Sequence, residues 1–302
     1  MKEERGAMRR FFRSLFRHVF GYLVFLPTFV ILIIFQALVV KPIFKNQTTI
    51  PYLIYRSCGR FFGIRFEFNK NCAPVADDKI TLFTANHLAR FDFIMLDMFP
   101  NSAVMMDAKI LKIPVWGTII KLFTSSSGFV ATQQNTAHKV GDLTQLGHAA
   151  QEGRNIFVFP EGIQSDGRRV LRFSQGSAEI FYDADLLAKY PALQTAQLQP
   201  VVLRVKTIDG EYMLDQPAKW EPYTLTHQLT NPIAALSCLS MVRSIVVDTL
   251  ICAPLDPRDF DSAADLINAA HAVTSAIIAP EQTETLTRRQ WVERVAAKDF
   301  AL

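Results

Sequence analysis

"KITLFTANHLARFDFIMLDMF", residues 79–99, passes from a β-branched and aromatic run into a helical pattern across one short polar break. A strand that feeds a helix through a brief loop is the repeating unit of an α/β sheet. The same kind of apolar run recurs as "IRFEF" from Ile64, "SAVMMDA" from Ser102, "GFVAT" from Gly128, "NIFVFP" from Asn155, "PVVLRV" from Pro200 and "IVVDTLICA" from Ile245. Helical patterns fall between them at Asp92 to Met98, Val115 to Phe123, Ala137 to Gln151 and Gln175 to Lys189, with Asp261 to Ile278 and Glu284 to Ala297 closing the chain. The rhythm predicts an α/β fold with a single central, mostly parallel sheet flanked by helices. The section from Ile208 to Asn231, with Pro217 and Pro222 near Trp220 and Tyr223, reads as a surface excursion and not as a second domain.

Ahead of this body the composition changes. From Val19 to Val40 no charge interrupts the apolar sequence, which at about 1.5 Å per residue is long enough to cross a hydrocarbon core of about 30 Å. Before it, Phe12, Leu15, Phe16 and Val19 recur at helical spacing opposite Arg10, Arg13 and Arg17, the pattern of an interfacial amphipathic helix. Lys41, Lys45, Arg56 and Arg60 follow closely and weaken the charge asymmetry that would orient a crossing. Residues 1–63 are therefore expected to form a basic amphipathic arm and a membrane-associated helical pair, dipping or in-plane in preference to spanning. Residues 64–302 are expected to form the α/β body as one domain.

The formal charge of +4 has one location. Six cations and two acids within the first 18 residues account for all of it, and the remainder is neutral. That distribution suits anionic lipid head groups and excludes the basic stripe of a nucleic-acid binder. Cys58, Cys72, Cys238 and Cys252 have no CxxC spacing, and the histidines lack partners at ligand spacing, so neither a disulfide framework nor a metal site is expected.

Two strand ends carry chemistry. His87 follows one strand directly and Asp92 opens the next helix. In a continuous helix, five residues would turn the two side chains about 140° apart, so they meet only if Leu88 to Phe91 form a turn. If they meet, the carboxylate fixes the imidazole tautomer and leaves the other nitrogen as a base; if not, Asp92 is an ordinary N-cap. At the later strand end, Pro160, Glu161 and Gly162 form either a plain β-turn or a place where a carboxylate accepts from a substrate hydroxyl.

The ordered pair "NHLARFD" and "FPEG" resembles the glycerolipid acyltransferase family, whose signatures are HxxxxD and FPEG. "AKILKIPVWG" at 108–117, "QPVVLRV" at 199–205 and "APLDPRDF" at 253–260 are similar to further stretches of that family. The resemblance implies transfer of a fatty acyl group from acyl-CoA or acyl-ACP, as co-substrate, to the free hydroxyl of a lysolipid, with no cofactor. It makes His87 the general base and Asp92 its orienting partner, with Pro160, Glu161 and Gly162 near the acceptor and backbone N–H groups near the motifs as oxyanion donors. No acyl-enzyme is implied. "GIQSDG" spaces Ser165 as GxxSxG and not as the GxSxG elbow of a serine hydrolase.

The chain departs from the family at two positions. Gln134 ends "GFVATQQ" and Gln164 stands in "EGIQS" where the family commonly has phosphate-binding arginines. The resemblance still implies Gln134 and Gln164 as substrate-binding, with Lys109 as a phosphate ligand helped by Arg90, Arg168 or Arg169, each of these three being either that or a solvated loop cation. The default acceptor is 1-acylglycerol-3-phosphate, giving phosphatidic acid. The two glutamines leave open another lysophospholipid, a different hydroxylated lipid or a non-catalytic lipid-binding relative. The expected location is a membrane, with the catalytic domain facing the cytoplasm.

Overall fold

The structure is a computed structural model and describes residues 2–45, 49–89, 92–99, 101–107, 118, 121–122, 130–132, 143–214, 241–282 and 284–297. Its strands are β1 (Ile64–Phe68), β2 (Thr81–Ala85), β3 (Ser102–Asp107), β4 (Val130–Thr132), β5 (Asn155–Val158), β6 (Gln197–Ile208), β7 (Glu211–Tyr212) and β8 (Ile245–Ile251). They form one sheet in the order β1-β8-β6-β2-β5-β3-β4, with β7 attached to β6. Pairing is parallel except for β8 and β7 against β6. The sheet is mixed and mostly parallel, as its sequence rhythm predicts.

Both faces of the central strands are covered, so β2 is buried throughout and β5 nearly so, whereas the edge strand β1 is buried only at its start. Side chains alternate across the sheet, so Leu82 and Ile156 enter one core while their neighbours Phe83 and Phe157 enter the other. The first core is closed by α5 (Leu143–Gln151), α6 (Ala184–Lys189), α7 (Ala263–Ile278) and the 3₁₀ segment Gln175–Phe181. The second is closed by α4 (Thr49–Phe62) and the 3₁₀ segment Asp92–Met98. Met95 is completely buried there, and Met98 packs against the same core.

Helix α4 places Ile50, Ile54, Tyr55 and Cys58 in that core beside Ile64 and Ile245. The chain before it forms an uninterrupted helical run: α1 (Lys2–Phe20), a π turn at Gly21–Phe25, α2 (Leu26–Phe35), a second π turn at Gln36–Val40, and α3 (Lys41–Phe44). The expected arm and apolar segment are thus one continuous element. The first π turn contains Leu23, whose carbonyl Pro27 would otherwise meet, and the wider turn absorbs that clash. Within the run, Pro27–Phe44 is long and apolar enough to cross a membrane, and 17% of it is buried. Phe12, Leu15, Phe16 and Val19 are exposed, while Arg13 and Arg17 donate to the main-chain oxygens of Met241 and Val242.

Several boundaries shift for identifiable reasons. The helical pattern over Gln175 to Lys189 splits because Asp183 takes an extended conformation and caps α6, accepting from Leu186 N–H at 3.0 Å. The last helix, α8 (Arg288–Ala297), starts later than its apolar pattern because the Thr287 hydroxyl accepts from Gln290 N–H. The start of the supposed excursion is a β-hairpin, turned at Asp209 and Gly210, both with positive φ. The rest of that stretch, Cys238, and the sequence between β4 and α5 lie outside the described residues.

One packing contact gives a sharp stability test. A Cβ at Gly147 would lie 2.2 Å from Cδ2 of Tyr190, whose ring is itself buried. Gly147→Ala is therefore expected to destabilise the fold by about 1–3 kcal/mol despite the better helix propensity of alanine. Thermal unfolding in detergent measures it, and an unchanged midpoint would mean that the α5–Tyr190 contact is misplaced.

Candidate active site

Strands β2 and β5 run parallel as direct neighbours, with Thr84 opposite Val158, so the segments leaving their C-terminal ends start side by side. Asn86, the first residue past β2, is buried and clamps the main chain of β6: its Oδ1 accepts from Leu203 N–H at 2.8 Å and its Nδ2 donates to Leu203 O at 3.1 Å. This fixes where His87 begins. Asp92 then closes the loop. Its Oδ2 accepts from Leu88 N–H at 2.6 Å and Ala89 N–H at 2.9 Å, while Asp92 N–H donates back to Ala89 O at 3.0 Å.

The same Oδ2 lies 2.8 Å from Nδ1 of His87. The turn has brought together two side chains that a helix would separate. Facing a carboxylate, Nδ1 carries the proton, which leaves the Nε2 lone pair as the basic position. Asp92 is completely buried, whereas the His87 side chain keeps 17% exposure. Phe159 stacks against the imidazole with centroids 4.4 Å apart.

Glu161 takes a different position from the expected one facing the acceptor. It is buried, its Oε2 accepts from His87 N–H at 2.9 Å and its Oε1 from Leu171 N–H at 2.9 Å. Both oxygens are committed to main chain, so the carboxyl group ties the His87 loop to its own. Ser165 N–H adds a second tie, donating to His87 O at 2.9 Å. Gly162 has φ of 67° and donates its N–H to Phe159 O, while Pro160 O accepts from Ser174 N–H; only glycine takes that left-handed turn without strain.

Burial pushes the Glu161 carboxyl up to about 8, outweighing the two N–H donors that favour its charged form, with Asp92 and Asp166 raising it further. A raised carboxyl holds in the folded state a proton that the unfolded chain loses. Its contribution to stability is complete below the ordinary value of 4.5 and is lost as pH rises through about 8. Denaturation midpoints between those limits are expected to fall with pH in the parent protein, and the slope is expected to flatten in Glu161→Gln. Parallel slopes would refute this burial effect.

Gln164 sits on the base. Its Nε2 lies 2.8 Å from His87 Nε2, where the amide N–H donates to the free lone pair. In this position it covers the basic nitrogen. Arg169 is buried and paired with Asp166 at 3.0 Å, so it is no solvated loop cation, and Ser165 is fully buried. The N–H groups of His87, Leu88, Ala89, Gly162 and Ser165 all donate within the protein, which removes these five as oxyanion donors. Lys109, Arg90 and Gln134 lie outside the described residues. No group of three His, Cys, Asp or Glu side chains suited to a metal occurs among the described residues.

Residues 65–204, which contain this whole arrangement, match the Acyltransferase family. The chain contains an acyltransferase domain. Curated relatives include the lyso-ornithine lipid O-acyltransferase of Rhizobium meliloti (strain 1021), 30% identical over 30% of this chain and 30% of that protein. The protein of the same name from Rhodobacter capsulatus is 23% identical over 73% of this chain and 72% of its own length. The crystal structure of the 1-acyl-sn-glycerophosphate acyltransferase PlsC from Thermotoga maritima superposes with a TM-score of 0.47 at 18% identity, covering 94% of this chain and all of that one.

At this site the motifs marked His87, Asp92 and Glu161. The quoted stretches include Asn86 and Phe159 without giving either a role, and they gave no sign of Trp291, whose indole Nε1–H donates to Gln164 O at 3.0 Å. An asparagine after a strand and a tryptophan in an amphipathic helix have no local signature that distinguishes them from ordinary packing.

Proposed function

We propose that the protein is a membrane-bound O-acyltransferase that moves a fatty acyl group from the thioester of acyl-CoA or acyl-ACP to a lysolipid hydroxyl. The observation that carries this reading is the 2.8 Å contact between His87 Nδ1 and Asp92 Oδ2, in a segment that matches an acyltransferase family. Nε2 takes the hydroxyl proton, the oxygen attacks the thioester carbonyl, and the buried carboxylate stabilises the imidazolium that forms. The thiolate then leaves and receives the proton from His87. Glu161 holds the His87 main chain while this happens. Substrates supply all the atoms of the reaction, so the reading needs no cofactor or metal.

For the acceptor, two observations favour a lyso-ornithine lipid over 1-acylglycerol-3-phosphate. The curated relatives named above carry the former name. Gln164, the side chain against the basic nitrogen, is a neutral amide, and a neutral donor gains less from a phosphate dianion than a guanidinium would. The exposed apolar face of α1 and the apolar stretch Pro27–Phe44 support a membrane location. The cationic N-terminus favours the cytoplasmic face, and Arg13 and Arg17 bond the main chain of Met241 and Val242, which supports a body on that same side with the apolar segment dipping into the membrane without crossing it.

Thiol release tests the reading. The protein is supplied with acyl-CoA or acyl-ACP and, in separate reactions, with lyso-ornithine lipid or 1-acylglycerol-3-phosphate. Faster release with lyso-ornithine lipid is the expected result. Preference for the phosphate acceptor would overturn the acceptor assignment, and lysolipid binding without thiol release under any pairing would identify a non-catalytic relative.

A further inference from the structure

Helix α8 lies outside the residues 65–204 that match the family, yet it reaches the site through one side chain. Trp291 is completely buried, and its indole N–H is the donor to Gln164 O. Its ring lies 5.0 Å from the guanidinium carbon of Arg169 and packs with Leu171 and Leu286 in a small apolar cluster. Two further ties bind the C-terminal segment to the same loop. Arg172 N–H donates to Leu286 O at 2.8 Å, and the Gln282 side chain brackets Val170, accepting its N–H at 3.0 Å and donating to its oxygen at 3.1 Å.

Gln164 is therefore held at both ends. Its main-chain oxygen is gripped from α8, and its side-chain amide occupies the one imidazole nitrogen that Asp92 leaves available. An imidazole lone pair has a single direction, so an amide N–H and an incoming hydroxyl compete for it.

We propose that Trp291 is a positioning residue and Gln164 a displaceable cap: α8 fixes the Gln164 backbone so that its amide fills the Nε2 lone pair of His87 until the acceptor hydroxyl takes its place. This deepens the acyl-transfer reading and takes the importance of Nε2 from it. Because the backbone stays anchored, the displaced amide swings about its own side-chain torsions and returns once product has left. An idle base is thereby shielded from water. The C-terminal helix becomes a working part of the site.

The test uses the full-length protein in detergent and diethyl pyrocarbonate, which reacts with the lone pair of a neutral imidazole, with each histidine followed by peptide mass spectrometry. In Gln164→Ala, His87 is expected to react about fivefold faster, the change in population that one hydrogen bond of ordinary net strength produces. Trp291→Phe keeps a ring against Arg169 but deletes the indole N–H, and is expected to accelerate His87 by a smaller factor. His148, exposed on α5, should keep its parental rate in both variants.

A parental rate for His87 in Gln164→Ala would overturn the cap. A parental rate in Trp291→Phe, or acceleration of His87 and His148 alike, would overturn the positioning role and leave general loosening as the explanation. The experiment contains no acyl donor or lysolipid, so its failure and the failure of the acyl-transfer reading are separately visible.

Discussion

His87→Ala is expected to lower acyl transfer by at least about 10²–10⁴-fold, the range that a positioned general base contributes. The variant should nevertheless fold. Both main-chain groups of residue 87 keep their partners, the N–H on Glu161 and the carbonyl on Ser165, because neither contact involves the imidazole. Asp92 also keeps the Leu88 and Ala89 N–H groups, so its buried carboxylate is not abandoned. What is lost is the stack on Phe159, the imidazole contacts with Asp92 and Gln164, and the base itself. Thiol release at saturating acceptor, set beside a thermal melt, separates the two effects. A variant that unfolds, or one that retains substantial turnover, would contradict the assignment.

Asp92→Asn is expected to cost a comparable factor, about 10²–10⁴ in turnover, for a different reason. The amide preserves the volume of a completely buried side chain, and its oxygen can still accept from the loop. It brings no negative charge beside Nδ1, so the imidazolium formed when the hydroxyl gives up its proton goes unstabilised in a site of low dielectric. The loss should therefore fall on turnover with little change in acceptor KM. A loss confined to KM would instead make Asp92 a binding residue. Asp92→Ala would be less informative, because it also strands two buried N–H donors of the loop.

Much of the fold is legible without coordinates. "TLFTA" is buried at every position because both faces of its strand are covered, and its uncharged, β-branched and apolar composition records that. The change of period after Asn86 marks the strand-to-helix passage for the same local reason. Asp183 shows where such reading stops: within a helical pattern its side chain competes as a cap, and tertiary packing around Tyr182, whose hydroxyl donates to Pro257 O, favours the break. Glu161 shows the limit at the site. Its motif marked it as important, but only the coordinates reveal that both oxygens serve main chain.

By itself the sequence determined the alternation of strands and helices, the apolar N-terminal helix, and the two motifs that stand at strand ends. Each of these depends on periodicity or spacing within a few residues, where chain geometry leaves little choice. The tertiary structure alone decided that Glu161 secures the His87 loop, that Gln164 covers Nε2, and that Trp291 holds Gln164 in place. Those contacts join residues 74, 77 and 127 positions apart. No local pattern encodes them, because they form only when β5 settles beside β2 and the C-terminal helix packs back onto the loop.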